Sequence, residues 1–263
     1  MYETLIWEVR EHTGILTLNR PDRLNAIDTV MRKEIESLMR KVEADPNVWN
    51  IVLTGNGRGF CSGADLKARD EEDKTGKANS AAAQPMFETN LYYPLVFGEL
   101  TKPVIAAVNG VTRGAGCNMA FSADFRIASE KANFGCNFVD RGLMGEMSAF
   151  YLPSMVGMAV ANEICLLGEP FDAAQAKTWG LVNAVVPHDR LLDEALALAA
   201  KLSRKAPLAV RMTKVALHHA FDTTAEHFLD MQNTMNNKLR ATADAKEALR
   251  AFIEKRPAQF KGE

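Results

Sequence analysis

The chain has 263 residues, and its 31 Lys and Arg against 33 Asp and Glu leave a formal net charge of −2 at pH 7. This length supports a large core, as one α/β domain or as one domain with a smaller helical part. The charge argues against a sequence-independent nucleic-acid binder, which needs a basic surface. No uninterrupted apolar run has membrane-spanning length and the start is too polar for a signal peptide, which predicts a soluble, cytoplasmic protein without a membrane partner.

The first half of the chain alternates strand and helix patterns. Residues 4–19, TLIWEVREHTGILTLN, alternate apolar and polar residues around a turn and predict a β-hairpin. Residues 27–44 carry apolar side chains at helical spacing. The runs NVWNIVLTG (47–55) and KPVIAAVNG (102–110) are β-branched and end in glycine, as buried parallel strands do. The alternation predicts a layered α/β domain.

Two further segments differ from this pattern. Residues 68–85 are polar and charged, which is typical either of a mobile loop over a site or of a solvated surface insertion. From about Leu191 onward the chain has helical periodicity with apolar stripes on more than one face. Such helices must pack on their own core or on a partner subunit.

The cysteines predict no metal site, because they form no C-x-x-C pair and lack the His spacing of a zinc site. They are Cys61, Cys117, Cys136 and Cys165. The simplest interpretation is that they are small buried apolar residues. Cys61 and Cys117 lie beside glycine turns, where a reactive thiol is the alternative.

The stretch VNGVTRGAGCNMAF, residues 108–121, places spaced glycines between a strand and a helix. One interpretation is a cradle for dinucleotide phosphates, although that motif normally opens the first βα unit and this one is in mid-chain. A second is that the glycines only permit close helix packing. A third comes from GRGFCSGADLKAR, residues 57–69, a second strand–turn–helix corner. Two facing corners would offer two converging N–H donors, which is an oxyanion hole.

Successive segments of the chain resemble the motifs of the crotonase (enoyl-CoA hydratase/isomerase) superfamily, in family order from about residue 5 to residue 262. They are RPDRLNAI, GFCSGADL, KPVIAAVNGVTRGAG with SADFRIASEKANF, AAQAKTWGLVNAVVP and AFIEKRPAQFKG. The resemblance implies an α/β fold with a β/α spiral core of the ClpP/crotonase type, residues 1–195, and a C-terminal helical trimerisation region, residues 196–263. It also implies acyl-CoA thioester substrates, no cofactor apart from the coenzyme A of the substrate, and a homotrimer or dimer of trimers.

The same resemblance assigns residues to the site. The backbone N–H groups of Ala64 and Ala115 would be the oxyanion donors. The coenzyme A channel would be lined by Arg23, Leu24, Ala64, Asp65 and Leu66, with Phe252 and Lys255 reaching a coenzyme A from the C-terminal region. Apart from the resemblance, we expect residues 68–100 to set the chain length and ring content of the acyl group.

The chain departs from the hydratase pattern at both catalytic glutamates. Asn118 stands at the first position and Phe138 at the second, and neither transfers protons. Glu146 remains, where members of the superfamily without the hydratase pair carry a single acid. Its neighbours Met144, Met147, Phe150 and Tyr151 are apolar or aromatic, so burial is expected to raise its pKa towards neutrality. Two alternatives are that Glu146 only faces a helix N-terminus and that Asp140 is the working acid.

These residues predict double-bond isomerisation of an enoyl-CoA. Glu146 would move the proton, Ala64 and Ala115 would hold the enolate oxygen, and Asn118 would orient the substrate or a water. Phe138, with Asp140 and Met144, would line the acyl pocket. The alternatives are hydration or hydrolysis through a water activated by Glu146 or Asp140, and a non-catalytic acyl-CoA-binding or scaffold protein.

Overall fold

The computed structural model of the chain describes residues 1–74 and 96–263. The strands are β1 (Leu5–Arg10), β2 (Thr13–Leu18), β3 (Asn50–Gly55), β4 (Gly59–Cys61), β5 (Val104–Val108), β6 (Val111–Arg113), β7 (Phe125–Ser129), β8 (Asn133–Gly135), β9 (Phe171–Asp172) and β10 (Ala184–Val186). The helices are α1 (Thr29–Ala44), α2 (Leu66–Lys74), α3 (Val96–Glu99), α4 (Ala115–Ser122), α5 (Glu146–Asn162), α6 (Ala173–Thr178), α7 (Leu191–Ser203), α8 (Pro207–His218), α9 (Ala225–Arg240) and α10 (Ala243–Ile253). Most of the predicted substrate-selecting segment 68–100, namely residues 75–95, lies outside the described residues.

The strands form two sheets, and from β3 to β8 successive strands belong alternately to one sheet and the other. The larger sheet has the order β1-β2-β3-β5-β7-β10, and the smaller has the order β4-β6-β8-β9. The pairs β3/β4, β5/β6 and β7/β8 each contribute one strand to each sheet, and neighbouring pairs are joined by parallel pairing in both sheets. Each turn of chain therefore stacks on the previous one as a spiral, with the strand-to-strand corners aligned at one side.

The predicted hairpin and first helix are confirmed. Strands β1 and β2 pair antiparallel from Leu5↔Leu18 to Arg10↔Thr13. Helix α1 begins after Asp28, whose side chain accepts a hydrogen bond from the Met31 N–H at 2.8 Å. The face of α1 that points to the core is apolar and buried, with Met31, Ile35, Leu38, Met39 and Val42 at helical spacing.

Helix α7 covers one face of the larger sheet. It packs on β2, β3, β5 and β7, and its Leu191, Ala195 and Ala199 are buried in a cluster with Val52 and Ile105 of those strands. The expected division between residues 195 and 196 falls inside this helix, and the division itself stays a prediction. The main core cluster lies on the other side of the larger sheet, between it, α1 and the smaller sheet.

Helix α8 is docked on the core by buried charged groups. Lys214 forms a 2.8 Å ion pair with Asp124, which also accepts a hydrogen bond from the Val104 N–H at 2.7 Å. Burial lowers the pKa of Lys214, against the opposing charge of Asp124. Burial also lowers the pKa of Lys102, to about 8, and its ammonium donates to the carbonyls of Val42 and Asp45 at the end of α1.

Helix α5 is apolar but mostly exposed in the single chain. It contains Pro153, a break at Gly157 (φ 76°), and a following π-helical turn, Glu163–Leu167. Within the described ranges, 146–167 is the one stretch with the length and composition to cross a membrane, a test that core helices of soluble proteins also pass. Phe150 and Met158 on it are 68% and 62% exposed. The single chain therefore leaves this apolar face uncovered.

Candidate active site

Two strand–turn–helix corners of the spiral lie against each other. The first corner, residues 61–66, joins β4 to α2, and the second corner, residues 113–118, joins β6 to α4. A Cβ atom added to Gly63 would lie 2.9 Å from the Arg113 carbonyl oxygen and 3.5 Å from the Ala115 nitrogen. A Cβ atom on Gly116 would lie 2.2 Å from the carbonyl oxygen of Cys61. Because only glycine permits this approach, the corners are held in backbone contact.

The predicted donors Ala64 and Ala115 occupy these two corners. Ala64 forms a parallel bridge with Ile27, in which Ile27 N–H donates to Gly63 O (2.8 Å) and Asp65 N–H donates to Ile27 O (2.9 Å). The bridge uses the groups on either side of Ala64, so the N–H of Ala64 points away from Ile27. Ala115 is the first residue of α4, where backbone N–H groups have no partner within the helix. Two backbone donors therefore lie on adjoining corners.

The loop before α1 supports the first corner. Leu24 and Asn25 both have left-handed backbones (φ 50° and 56°), and the buried Asn25 side chain donates to Gly59 O at 2.8 Å. The Ser62 N–H donates to Leu24 O at 2.9 Å, and the Ser62 hydroxyl donates to Arg23 O at 3.2 Å. The structure thus brings Arg23 and Leu24 beside the corner that contains Ala64. Sequence reasoning missed Asn25, although it lies within the RPDRLNAI motif.

Asp65 is held by Arg20, another residue that the sequence analysis missed. Their side chains form an ion pair at 3.0 Å, and Asp65 also accepts a hydrogen bond from the Ala68 N–H at 3.2 Å, at the start of α2. Burial alone raises the pKa of Asp65, but the hydrogen bonds from Ala68 and Arg20 outweigh it and hold the pKa below its usual value. The Asp65 carboxylate is therefore bound by Arg20 and by the first turn of α2. Leu66, the next residue, is 49% exposed at the surface.

Glu146 is joined to the second corner by Asn118. The Asn118 Nδ2 donates to Glu146 Oε2 at 2.8 Å, and Asn118 Oδ1 accepts from the Ser148 N–H (2.8 Å) and hydroxyl (2.6 Å). Asn118 is fully buried on α4, three residues after Ala115 and on the same helix face. The structure therefore brings Ala115, Asn118 and Glu146 together. Ser148 was missed, since nothing in its local sequence distinguishes it from a structural serine.

The surroundings of Glu146 differ from the prediction. Glu146 is exposed in the single chain, and its neighbours Met144 and Phe150 are 72% and 68% exposed. The expected apolar enclosure is wrong for one chain, because these side chains project outward from the start of α5. Glu146 also has a left-handed backbone, with φ 44°. A non-glycine residue in this region is strained, and such strain is concentrated at functional sites.

Phe138 immediately precedes a short 3-10 turn, Val139–Arg141, and Asp140 lies within that turn. Phe138 is buried (5% exposed), and its ring lies 3.7 Å from the position of a Cβ on Gly114, so it adjoins the second corner. Asp140 is exposed, and its Oδ1 lies 3.7 Å from the position of a Cβ on Gly168. Arg141 donates to the Asn137 side chain at 3.4 Å, and the described ion pairs do not join it to Asp140. Phe138 thus borders the site, whereas the Asp140 carboxylate lies beside Gly168.

The cysteines beside the corners, Cys61 and Cys117, are buried. Burial raises the pKa of Cys61 to about 12. Cys117 is buried, and its thiol contacts the carbonyl oxygens of Thr112 and Gly135 at 3.4 Å. In the part of the chain that the structure describes, no three His, Cys, Asp or Glu side chains form a group suited to a metal ion.

The predicted C-terminal coenzyme A residues lie at the end of α10. Phe252 is 82% exposed, and Lys255 is exposed with a left-handed backbone (φ 55°). Neither side chain is enclosed by the corners of its own chain. Their role in binding coenzyme A stays a prediction.

The chain is similar to known proteins along almost its whole length. The family model for enoyl-CoA hydratase/isomerase matches residues 9–263. The Escherichia coli 1,2-epoxyphenylacetyl-CoA isomerase is 36% identical over 100% of both chains, and the E. coli 2,3-dehydroadipyl-CoA hydratase is 34% identical over 98% of both.

Solved structures match the whole fold. An enoyl-CoA hydratase from Bacillus anthracis superimposes with a TM-score of 0.90 at 30% identity, over 99% of this chain and 100% of that one. An enoyl-CoA hydratase/isomerase from Mycobacterium paratuberculosis has a TM-score of 0.88 at 34% identity, over 100% of both chains. The predicted crotonase-like α/β fold is confirmed. The chain belongs to the enoyl-CoA hydratase/isomerase family.

Proposed function

We propose that this chain is an isomerase that shifts the carbon–carbon double bond of an unsaturated acyl-CoA thioester. Glu146 moves the proton, and the N–H groups of Ala64 and Ala115 hold the thioester oxygen. The observation that carries the proposal is the 2.8 Å hydrogen bond from Asn118 to Glu146, which ties a carboxylate to the corner that contains Ala115. Family membership supports the acyl-CoA substrate class.

The two corners supply the electrophilic part of the reaction. Removing a proton next to a thioester carbonyl places negative charge on the carbonyl oxygen, and two fixed N–H donors stabilise that charge without having to reorganise. Each such donor is worth ~3–4 kcal/mol where charge develops. The contact of Gly63 with the Arg113–Ala115 backbone supports this role, because it fixes the relative position of the two donors.

Glu146 supplies the acid–base part. In a 3-enoyl thioester it removes a proton from C2, and the electrons of that bond form a C1–C2 double bond while the oxygen becomes negative. The resulting dienolate collapses by taking the proton back at C4, so the double bond moves to C2–C3. Asn118 donates to the carboxylate and favours its ionised form, the form that accepts a proton. One carboxyl group then serves both steps.

The remaining predicted residues shape the site in this proposal. Phe138, buried beside Gly114, forms a wall of the acyl pocket. Arg23, Leu24 and Leu66 border the coenzyme A channel next to Ala64.

We further propose a homotrimer or dimer of trimers, in which a second copy covers the apolar face of α5 and brings Phe252 and Lys255 to the coenzyme A. The 68% exposure of Phe150 supports this, since an apolar face of this size is costly in water. Light scattering of the purified protein should give at least three times the 29.0 kDa chain mass. A monomer would contradict it.

Hydration of a 2-enoyl-CoA is the second candidate. It is supported by the E. coli relative named 2,3-dehydroadipyl-CoA hydratase, which is nearly as similar as the relative named as an isomerase. Asn118 and Phe138, where a hydratase would carry glutamates, argue against it, because neither side chain transfers a proton.

The test compares a 3-enoyl-CoA with the matching 2-enoyl-CoA on the purified protein. Isomerisation is expected to raise the absorbance of the conjugated thioester from the 3-enoyl substrate, with no change of mass. Loss of that absorbance from the 2-enoyl substrate, with uptake of water seen by mass spectrometry, would favour hydration instead. Release of free coenzyme A thiol would favour hydrolysis. Tight binding by calorimetry with no turnover of either ester would favour a non-catalytic binder.

A further inference from the structure

Ser148 lies in the first turn of α5, two residues beyond Glu146, and is fully buried. We propose that Ser148 is a positioning residue, whose backbone N–H and hydroxyl lock the Asn118 amide so that Asn118 can only donate to Glu146. This inference rests on the proposed role of Glu146 in proton transfer. In this proposal Ser148 contacts neither the substrate nor the reacting atoms and acts on Glu146 through Asn118.

The orientation of the Asn118 amide is set by a group that cannot change its polarity. A backbone N–H only donates, so the Asn118 atom 2.8 Å from the Ser148 nitrogen must be the oxygen, Oδ1. The amide nitrogen, Nδ2, then faces Glu146 Oε2 at 2.8 Å. The opposite orientation would place the amide oxygen against the carboxylate and would favour a protonated Glu146. The lock therefore favours the proton-accepting form of the carboxyl.

The Ser148 hydroxyl strengthens the lock from a second direction. It lies 2.6 Å from Asn118 Oδ1 and must donate its proton there, since that oxygen only accepts. The hydroxyl oxygen in turn accepts from the Cys136 thiol at 3.4 Å. Asn118, Ser148 and Cys136 are each 0% exposed, so water does not compete for these bonds. The oxygen of the amide has both lone pairs occupied, and the amide is fixed in its plane.

The same contact joins two helices at the site. Gly145, which precedes α5, supplies no side-chain cap, and Asn118 of α4 accepts the N–H of the third residue of α5 in its place. Glu146 is thereby held between its own helix start and Asn118, in the left-handed conformation with φ 44°. Because α4 begins at Ala115, a shift of the Asn118 amide changes the position of the carboxylate relative to that N–H group.

The first test is Ser148→Ala, assayed with the 3-enoyl-CoA. Losing one of two donors to a buried amide should lower kcat about 3- to 10-fold and leave KM within about twofold, since no substrate contact is removed. The acidic limb of the kcat–pH profile should move to higher pH, because the ionised carboxyl loses part of its support. Ser122→Ala is the matched control: this buried serine, also on α4, donates to Met119 O at 2.9 Å and should leave kcat and the pH profile unchanged.

A double-mutant cycle separates positioning from general packing. Asn118→Ala removes the acceptor, so adding Ser148→Ala in that background should lower kcat no further, whereas a packing role predicts additive losses. Additivity, or an unchanged kcat and pH profile in Ser148→Ala, would overturn the inference while the proposed function stands. If the wild type fails to isomerise, or Glu146→Gln retains full activity, the proposed function fails first.

A second variant, Ser148→Cys, keeps the test available if Ser148→Ala does not fold. A thiol is a weaker donor than a hydroxyl, so Ser148→Cys is expected to lower kcat by less than Ser148→Ala would. A wild-type kcat in Ser148→Cys would count against the lock.

Discussion

The site has two halves that are built in different ways. The corner half, residues 63–64 and 114–116, is made of backbone groups. Its glycines, Gly63 and Gly116, permit the two corners to touch because a Cβ atom at either position would collide with the facing backbone. The carboxylate half, Asn118, Glu146 and Ser148, is made of side chains joined by hydrogen bonds between two helices. In the proposed reaction the corner half stabilises charge on any thioester, and the carboxylate half decides where a proton goes.

The difference predicts different tolerance to substitution. A backbone donor does not depend on the side chain of its residue, so alanine at position 115 keeps the N–H donor of the corner half. A proton-transferring group does not survive such a change, so replacing a glutamate by Asn118 changes the chemistry that the site supports. In the proposed function, the corner half therefore sets the substrate class and the carboxylate half sets the reaction.

The largest effect is expected where the backbone of the corner half is pushed apart. In Gly116→Ala the new Cβ would lie 2.2 Å from the Cys61 carbonyl oxygen, so one corner must move. We expect a loss of roughly 3 kcal/mol of unfolding free energy, the upper end for overpacking, and no measurable isomerisation. Thermal unfolding and the 3-enoyl-CoA assay test this.

Gly180→Ala is the matched control for that substitution. Gly180 has φ 77° and nothing within 4 Å of its added Cβ, so only backbone strain of about 1–2 kcal/mol is expected, with kcat unchanged. If Gly116→Ala were no worse than Gly180→Ala in stability and activity, the close contact of the two corners would not matter.

The second-largest effect is expected from Glu146→Gln, which changes only the carboxylate half. Glu146→Gln keeps the size of the side chain and an oxygen for the Asn118 hydrogen bond but cannot take a proton. We expect kcat to fall about 10²- to 10⁴-fold, the usual contribution of a general base, with the Kd for acyl-CoA nearly unchanged. Steady-state kinetics and calorimetry measure the two quantities. The unfolding temperature should change little, in contrast to Gly116→Ala.

Asp140 provides the competing hypothesis for the acid. It is exposed and turned towards Gly168, so Asp140→Asn should retain most of the activity. A loss in Asp140→Asn that equals or exceeds the loss in Glu146→Gln would transfer the acid–base role to Asp140 and remove the central element of the proposed mechanism.

Local patterns predicted the corner half from the sequence. The strands end in glycine, two strand–turn–helix segments repeat the same form, and a parallel sheet brings such turns to one side, so the meeting of the two corners followed from topology. The choice of Ala64 and Ala115 as the donors within those corners came from the motif resemblance. The hairpin of β1 and β2 and the buried face of α1 were predicted from the periodicity of apolar residues, which is also a local pattern. The motif resemblance added the family.

The carboxylate half was predicted only in part. Glu146 and Asn118 came from the motif comparison, but Ser148 and its bond to Asn118 join residues thirty apart through side chains, which periodicity does not encode. The predicted burial of Glu146 failed because apolar neighbours in sequence, Met144 and Phe150, point outward at the start of a helix. Arg20 and Asn25 were missed for a similar reason: their partners, the Asp65 carboxylate and the Gly59 carbonyl oxygen, are distant in sequence.

The smallest and most specific effect is expected from Asn118→Asp, which alters one atom of the carboxylate half. The new side chain keeps the acceptor for the Ser148 N–H and hydroxyl, but its second oxygen replaces a donor 2.8 Å from Glu146 Oε2. Two carboxyl groups at this distance share one proton, and they hold it to higher pH than a single carboxyl does. We expect the acidic limb of the kcat–pH profile to move up by about one unit or more, with activity partly recovered as pH rises. Asn183→Asp is the control, because Asn183 Oδ1 accepts a backbone N–H at 2.7 Å and its conversion should leave the profile in place. A profile unchanged in Asn118→Asp would mean that the Asn118 amide does not govern the ionisation of Glu146, and the carboxylate half would then consist of Glu146 alone.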